Sequence, residues 1–407
     1  MDNTVLLRSE AELAINEARR QKAQRTKTLG SPIQLAGVAL DIHIEENFAW
    51  IAENTHVAKK INLETGSISQ IYKGHTAPVT CLTFFQNGRG TVGRKVLITG
   101  SWDQSIKLWN TDTKALISST VAHDDFVKCL FVVPSAKLLV SSSSDKTIRF
   151  WDLNNVVEGK ALASVGSLSA HTRPVECIAG IAHSETKVVL MTADTMGVIK
   201  VWELEKESGP QARWRSNLQD TLDYHRTRIT EILYGSGQIW TASSDETVQV
   251  TSYPPDPPLT RPLPPLNHPL PVRAVLPLAL TALAEPYVVT AFGDVIRLYD
   301  VSAPSEPEVL GEIDAHWHDV TAIRLWMRCS RNKTGQSRIE PWIVSTSLDG
   351  TVRRWRLSEL AASTPESPAG RMKAAIIAPF PEPKGDAKAG EMTEEEEREL
   401  AKLMGED

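Results

Sequence analysis

A histidine followed by a short polar stretch and then an apolar run recurs six times in this chain, at His75, His123, His171, His225, His268 and His316. The intervals are 48, 48, 54, 43 and 48 residues. After most of these histidines comes a second signature: a strand of small residues, a turn carrying aspartate, and an alternating strand that ends in an aromatic. ITGSWDQSIKLWN (98–110), VSSSSDKTIRFWD (140–152) and VSTSLDGTVRRWR (344–356) are clear copies, and WTASSDETVQVTS (240–252), MTADTMGVIKVWE (191–203) and TAFGDVIRLYD (290–300) are weaker ones. Alternation with a period of two marks half-buried strands, with Ile106 and Leu108 on one side and Lys107 and Trp109 on the other. A unit repeated every 40–50 residues or about that cannot bury its apolar face alone, and four strands per such period describes a propeller blade.

These motifs resemble the WD-repeat (WD40) family over roughly residues 33–358. A further unit, VALDIHIEENFAWIAENTHVAKKINLETGSISQIY (38–72), has the strand spacing but not the histidine and tryptophan. Counting it, the expected fold is all-β: a seven-bladed WD-repeat β-propeller with an N-terminal helix and a short acidic C-terminal helix. The resemblance implies a buried hydrogen-bonded chain in each blade, with complete sets at His75–Thr99–Asp103–Trp109, His123–Ser141–Asp145–Trp151 and His316–Ser345–Asp349–Trp355. Other units depart from the pattern. Thr251 stands where the tryptophan would be. Asp194 comes two residues early, with Met196 in the usual aspartate place, and Gly293 takes that place beside Asp294. Those blades are expected to depend more on apolar packing. The family commonly binds partners on the face that carries the histidine loops and aspartate turns, which implies Trp102, Phe126, Arg173, Arg226, Arg228 and Trp317 as partner-binding residues.

Outside the repeats, residues 1–30 are read as a helical extension. The stretch 4–26 lacks proline and glycine and places Leu6, Leu7, Ala11, Ala14 and Ala18 at helical spacing, with Arg19, Arg20, Lys22 and Arg25 on another face. It fits a helix docked on the propeller's own side, a helix for a partner, or a basic stretch for nuclear import or nucleic acid. The propeller is expected over 31–380. Its proline-rich stretch 254–271 cannot form a regular ladder, because proline has no amide hydrogen, and reads as a stiff connector or a docking motif for a proline-reading domain. Residues 359–390 read as linker, except that KAAIIAPF (373–380) can supply a last strand. Ring closure falls either to that strand or to one from 24–37. Residues 381–407 are linker and acidic tail, with a helix from Thr393 capped by Glu396 and a small stripe of Leu400, Leu403 and Met404. The segment 393–404 is a second candidate helix for a partner.

Charge and chemistry narrow the function. Residues 385–407 hold nine acids and three bases, so the tail accounts for the whole net charge of −6 and the rest is balanced. Bulk charge therefore does not favour a nucleic-acid-binding face. No run of about 18 apolar residues exists and the start lacks a signal peptide's pattern, so an intracellular protein, cytoplasmic or nuclear, is expected. Cys81, Cys129 and Cys177 each fall six residues after a repeated histidine, an inward strand position, and no CxxC is present. The GxGxxG match at Gly88, Gly90 and Gly93 precedes a strand, not the helix a dinucleotide site needs. His316 and His318 lack further ligands for a metal. The repeated Ser/Thr–His–Asp sets resemble a hydrolase triad in composition only. The expectation is a non-enzymatic interaction scaffold or adaptor with no cofactor and no metal. A nucleic-acid-associated factor in RNA processing or ribosome assembly is the second reading, and a propeller hydrolase the third.

Overall fold

Each repeat folds as four antiparallel strands because its apolar residues alternate and short turns interrupt them. The structure, a computed structural model, describes residues 10–87, 94–154, 156, 158–209, 213–254, 263–331 and 337–361. Its strands form seven four-stranded sheets. The first blade is Ala39–Glu45, Phe48–Glu53, Val57–Asn62 and Ile68–Lys73. The unit without the histidine signature is thus a complete blade. Blades two to six follow in chain order between Val79 and Asp314. The seventh sheet is composite: Val320–Arg331, Ser337–Ser347 and Thr351–Arg356 pair in sequence, and the outermost strand is Ile33–Gln34 from the other end of the chain. Closure therefore comes from 24–37. The glycine match at 88–93, the stretch 373–380 and the acidic tail lie outside the described residues, as do 255–262 of the proline-rich loop.

Seven apolar clusters hold the ring, one at each junction between neighbouring blades. Between blades one and two, for example, Trp50, Ala52 and Tyr72 meet Val79, Leu97 and Trp109. The blades thus share their cores, which is why one repeat alone has no stable fold.

All seven innermost strands bulge at the same place. The pairing skips Leu40, Thr80, Lys128, Glu176, Thr230, Arg273 and Thr321 in turn. A bulge leaves one residue unpaired and re-aims its side chain. Three of these residues tie one blade to the next: Thr80 Oγ1 donates to the Val127 carbonyl at 2.6 Å, Thr230 to Val272 at 2.9 Å and Thr321 to Ala39 at 2.9 Å.

Helix α1 (Glu10–Arg25) rests its C-terminal end against blade six. Lys22 Nζ lies 2.7 Å from Asp294 and 2.9 Å from Asp314, and Arg25 lies 2.9 Å from Asp314. Arg353 then takes the Thr26 and Leu29 carbonyls, and Arg354 those of Ser31 and Leu63. Of the four basic residues read on this helix, two are therefore engaged by the propeller, while Arg19 and Arg20 are exposed. Helix α2 (Leu357–Ala361) continues directly from the third strand of blade seven, where the sequence reading begins a linker. Leu357, Leu360 and Ala361 carry it, packed with Leu310 of blade six.

Candidate functional site on the histidine-loop face

The loops between blades carry the histidines, and four blades hold a complete polar chain. His75, His123, His171 and His316 place Nδ1 at 2.8, 2.9, 2.9 and 2.9 Å from Asp103, Asp145, Asp194 and Asp349. Their Nε2 atoms lie 2.8 Å from Thr99, Ser141, Thr192 and Ser345. Trp109, Trp151, Trp202 and Trp355 each donate Nε1–H to the same hydroxyl at 2.9 Å. One proton arrangement satisfies every member: indole N–H to hydroxyl, hydroxyl O–H to Nε2, and Nδ1–H to carboxylate.

The blade of Asp194 corrects the sequence reading. Its network is complete, because the turn is reshaped so that Asp194 Oδ1 accepts the amides of Met196 and Val198 while Oδ2 takes His171. In blade five the chain also persists without tryptophan, with His225 bridging Asp245 at 3.0 Å and Thr241 at 2.7 Å. Tyr224, its ring 5.0 Å from that of His225, stands near Thr241 and Thr251, but its buried hydroxyl makes no hydrogen bond, so the indole's donation has no substitute there. Apolar packing is thus not what the Asp194 blade falls back on. In blade six, His268 donates Nδ1–H to the Leu266 carbonyl at 3.1 Å, and Thr290 and Tyr299 hydroxyls stand 3.0 and 3.2 Å from Nε2. Blade one drops the network altogether. Leu35 precedes its innermost strand by the offset of the histidines, and Ile51 and Ile61 take the hydroxyl and tryptophan registers. With these three places apolar, none of them is left with an unpaired polar group, and Thr55, in the aspartate register, donates instead to Glu53 at 2.6 Å.

These sets have the connectivity of a hydrolase triad and none of its access. Thr99, Ser141, Thr192, Thr241 and Ser345 are fully buried, and a nucleophile must reach its substrate. Among the described residues no group of three or more His, Cys, Asp or Glu side chains is placed to hold a metal, and His318 instead accepts the Asp319 amide at 2.7 Å.

Burial holds His123, His225 and His316 below the ordinary histidine value, and His268 down to about 4. Burial would raise Asp349, but hydrogen bonds from His316 and Thr351 hold it below the carboxylate range, and Asp194 is held low in the same way by His171 and the turn amides. A histidine with a lowered folded pKa is protonated first in the unfolded chain, so stability falls as pH drops through about 6.5. A lowered carboxylate adds its loss below about 4. Urea midpoints should therefore decline between pH 7 and 5, before the carboxylates titrate, and His268→Asn should flatten that limb. A midpoint constant over this interval would contradict the assignment of neutral buried histidines.

The same face opens into the central channel. All seven bulged residues line its mouth, together with Trp102, Arg228, Asp319 and Leu348, around a cavity of about 320 Å3. Glu176 sits between Lys128 at 3.5 Å and Arg228 at 2.8 Å, and Arg273 lies 3.5 Å from Asp319. Deeper down, Arg324 from blade seven reaches Glu231 of blade five at 2.9 Å and Asp41 of blade one at 3.5 Å. Cys81, Cys129 and Cys177 line this deeper part. Cys177 Sγ donates to the Thr230 carbonyl at 3.1 Å, and burial pushes the Cys129 thiol up to about 12.

Of the expected partner-binding residues, Trp102 and Phe126 come together. Their rings stack at 4.9 Å and 22°, and each residue is 40% exposed. Arg173 is exposed. Arg226 is exposed too and donates to the Asp245 carbonyl at 3.2 Å. Arg228 reaches the mouth, whereas Trp317 is half-buried, 5.8 Å from His318. Sequence reasoning missed Lys128, Glu176, Arg273 and Leu348. The first three stand five residues after a repeated histidine, one before the cysteine position, and that offset was the available signal.

The family profile of the WD domain, G-beta repeat, matches residues 66–110 and 114–152, the stretches that hold the His75 and His123 networks. The chain is 26% identical over 362 residues to an uncharacterized WD repeat-containing protein of Schizosaccharomyces pombe, covering 85% of this chain and 87% of that protein. It is 27% identical over 170 residues to the small ribosomal subunit protein RACK1y of Oryza sativa, covering 42% and 44%. It is 33% identical over 98 residues to the nuclear distribution protein PAC1 of Candida tropicalis, covering 20% of each. Among solved structures, the computationally designed Ika8 protein superposes with a TM-score of 0.54 at 20% identity, over 80% of this chain and 98% of that one, a likeness of fold alone. Two of the units around this ring match the WD repeat, and the chain folds as a seven-bladed β-propeller similar along most of its length to a protein named for that repeat.

Proposed function

We propose that this protein is a non-enzymatic scaffold or adaptor subunit of an intracellular assembly, gripping partner proteins through its histidine-loop face. WD-repeat propellers generally act as protein-interaction scaffolds. The observation that carries the reading here is the exposed Trp102–Phe126 stack beside the channel mouth. Large aromatics and arginine anchor interfaces more than other residues do. With Lys128, Arg228 and Arg273 at the mouth and Arg173 outside it, the chemistry suits a segment that combines acidic and apolar side chains. Four free cysteines agree with a reducing compartment, cytoplasm or nucleus. No helix among the described residues is long and apolar enough to cross a membrane. A nucleic-acid role through α1 has weaker support, since Lys22 and Arg25 are engaged by Asp294 and Asp314.

The test is affinity purification of the full chain from its own cells. Trp102→Ala with Phe126→Ala should reduce at least one co-purifying protein by about thirtyfold, the loss of a ~2 kcal/mol anchor. Retention of every partner would refute the chosen face. Recovery that vanishes with nuclease treatment and moderate salt would favour the nucleic-acid reading instead.

A further inference from the structure

The seven bulged residues at the channel mouth are not equivalent. Thr80, Thr230 and Thr321 donate their hydroxyls to the next blade. Lys128 of blade three and Arg273 of blade six line the opening from places three blades apart, the widest separation a ring of seven has. Each has an acid nearby without direct contact. Lys128 Nζ lies 3.5 Å from Glu176, and Arg273 lies 3.5 Å from Asp319, beyond the ~2.7–2.9 Å of a charge-assisted hydrogen bond. Neither side chain makes a hydrogen bond among the described residues. Glu176, its side chain 8% exposed, is already held by Arg228 at 2.8 Å. The charged groups lining the mouth are thus three cations, Lys128, Arg228 and Arg273, against two carboxylates, Glu176 and Asp319. Below them the balance reverses. Arg324 reaches past blade six to Glu231 at 2.9 Å, stands 3.5 Å from Asp41, and donates Nε–H to the Ile42 carbonyl at 3.1 Å. That lower tier sets one cation against two carboxylates and narrows the channel, so an anion is attracted to the mouth and stopped there.

We infer that the mouth is a socket for one carboxylate side chain, aspartate or glutamate, of a partner segment, clamped between Lys128 and Arg273. The inference rests on the histidine-loop face being the partner face, and it adds where the acid goes and what stands beside it. An entering carboxylate neutralises the excess positive charge. It also supplies the direct hydrogen bonds that Lys128 and Arg273 do not make with Glu176 and Asp319. The cavity of about 320 Å3 lies at the small end of ligand sites, which suits a side chain rather than a threaded stretch of chain. Trp102 lines the same opening and stacks on Phe126, and Leu348 stands there too, 37% exposed. A large apolar residue one or two positions from the acid therefore reaches the aromatic pair, since two extended residues span ~7 Å.

The test is selection of phage-displayed random peptides on the immobilised full chain. Selected peptides should carry an acidic residue one or two positions from a leucine or an aromatic. They should bind a Lys128→Gln, Arg273→Gln variant at least about tenfold more weakly than wild type. Changing the peptide's acid to its amide should weaken binding to wild type by a similar factor. The same change should alter binding to the variant by less than about twofold, because the two losses are one contact. An indirect, structural effect of the variant would leave the amide peptide penalised on both proteins, and that result would overturn the socket. Peptides that depend on Trp102 and Phe126 but have no acidic position, or that bind wild type and the glutamine variant alike, would overturn the socket and leave the face standing. Peptides that bind both the glutamine variant and a Trp102→Ala, Phe126→Ala variant undiminished, or a selection that returns none, would remove the face as well.

Discussion

Asp349→Ala should lower stability by about 3–5 kcal/mol, the range found when one partner of a buried charged pair is removed. The carboxylate is shut away, with its side chain fully buried. Its Oδ2 accepts His316 Nδ1–H at 2.9 Å, and its Oδ1 accepts the Thr351 hydroxyl at 2.6 Å and the Thr351 amide at 2.9 Å. Arg353 stands 3.9 Å away. Alanine leaves those donors facing a cavity and the guanidinium without its anion. Each stranded buried group costs about 1–3 kcal/mol. The same change at Asp103 should cost roughly half as much, because that side chain is 10% exposed and water can stand in for it. Urea unfolding with an unchanged m-value is the measurement. If the Asp349 variant lies within about 1 kcal/mol of wild type, the network is not the strut it is taken to be.

That contrast also explains what could be read from the sequence. The histidine interval and the small-residue strands fix the blades because a repeat must pack against its copy, and that requirement leaves a periodic trace. The network survives where the motif is blurred, since Asp194 needs only to bring an oxygen to His171, and a turn of different length does so. Spacing rules see the residue count and miss the bent turn. Blade five keeps the His225 bridge without an indole, and the aromatic beside it is Tyr224, from the residue before the histidine rather than the third strand. No alternation pattern encodes that ring contact, since it depends on a side chain outside the third strand. The stacked pair is the reverse case. Trp102 and Phe126 stand 24 positions apart on different blades, and each was marked only by its offset from a motif residue. Their contact follows from the ring, which brings the turn of blade two beside the loop entering blade three. The mouth was the least legible part, because a bulged residue looks like any other strand residue in the sequence.

Closure offers the second large effect. Ile33→Asp should cost about 3–5 kcal/mol, because it forfeits the burial of an isoleucine and forces a carboxylate into an apolar cluster. Ile33 is 8% exposed, pairs with Val352, and shares its cluster with Leu35, Ile42 and Trp326. Gln34, one residue on, is exposed and pairs with Thr351. Since strand side chains alternate between faces, Gln34→Asp should change stability by less than about 1 kcal/mol. The two variants differ by one position and carry the same new charge, so they separate burial from electrostatics. The damage should also be local at first. The outer strand of blade seven has only two paired positions, and the carbonyl contacts of Arg353 and Arg354 with Thr26, Leu29 and Ser31 hold the strap from one side only. Once Ile33 is expelled, that strap should open before the six blades formed from continuous chain. Limited proteolysis of the full chain should then cut within residues 26–36 under conditions that leave the wild type intact, and urea should unfold the variant at a lower midpoint. Equal sensitivity of the Ile33 and Gln34 variants would mean that the ring is closed by some other segment.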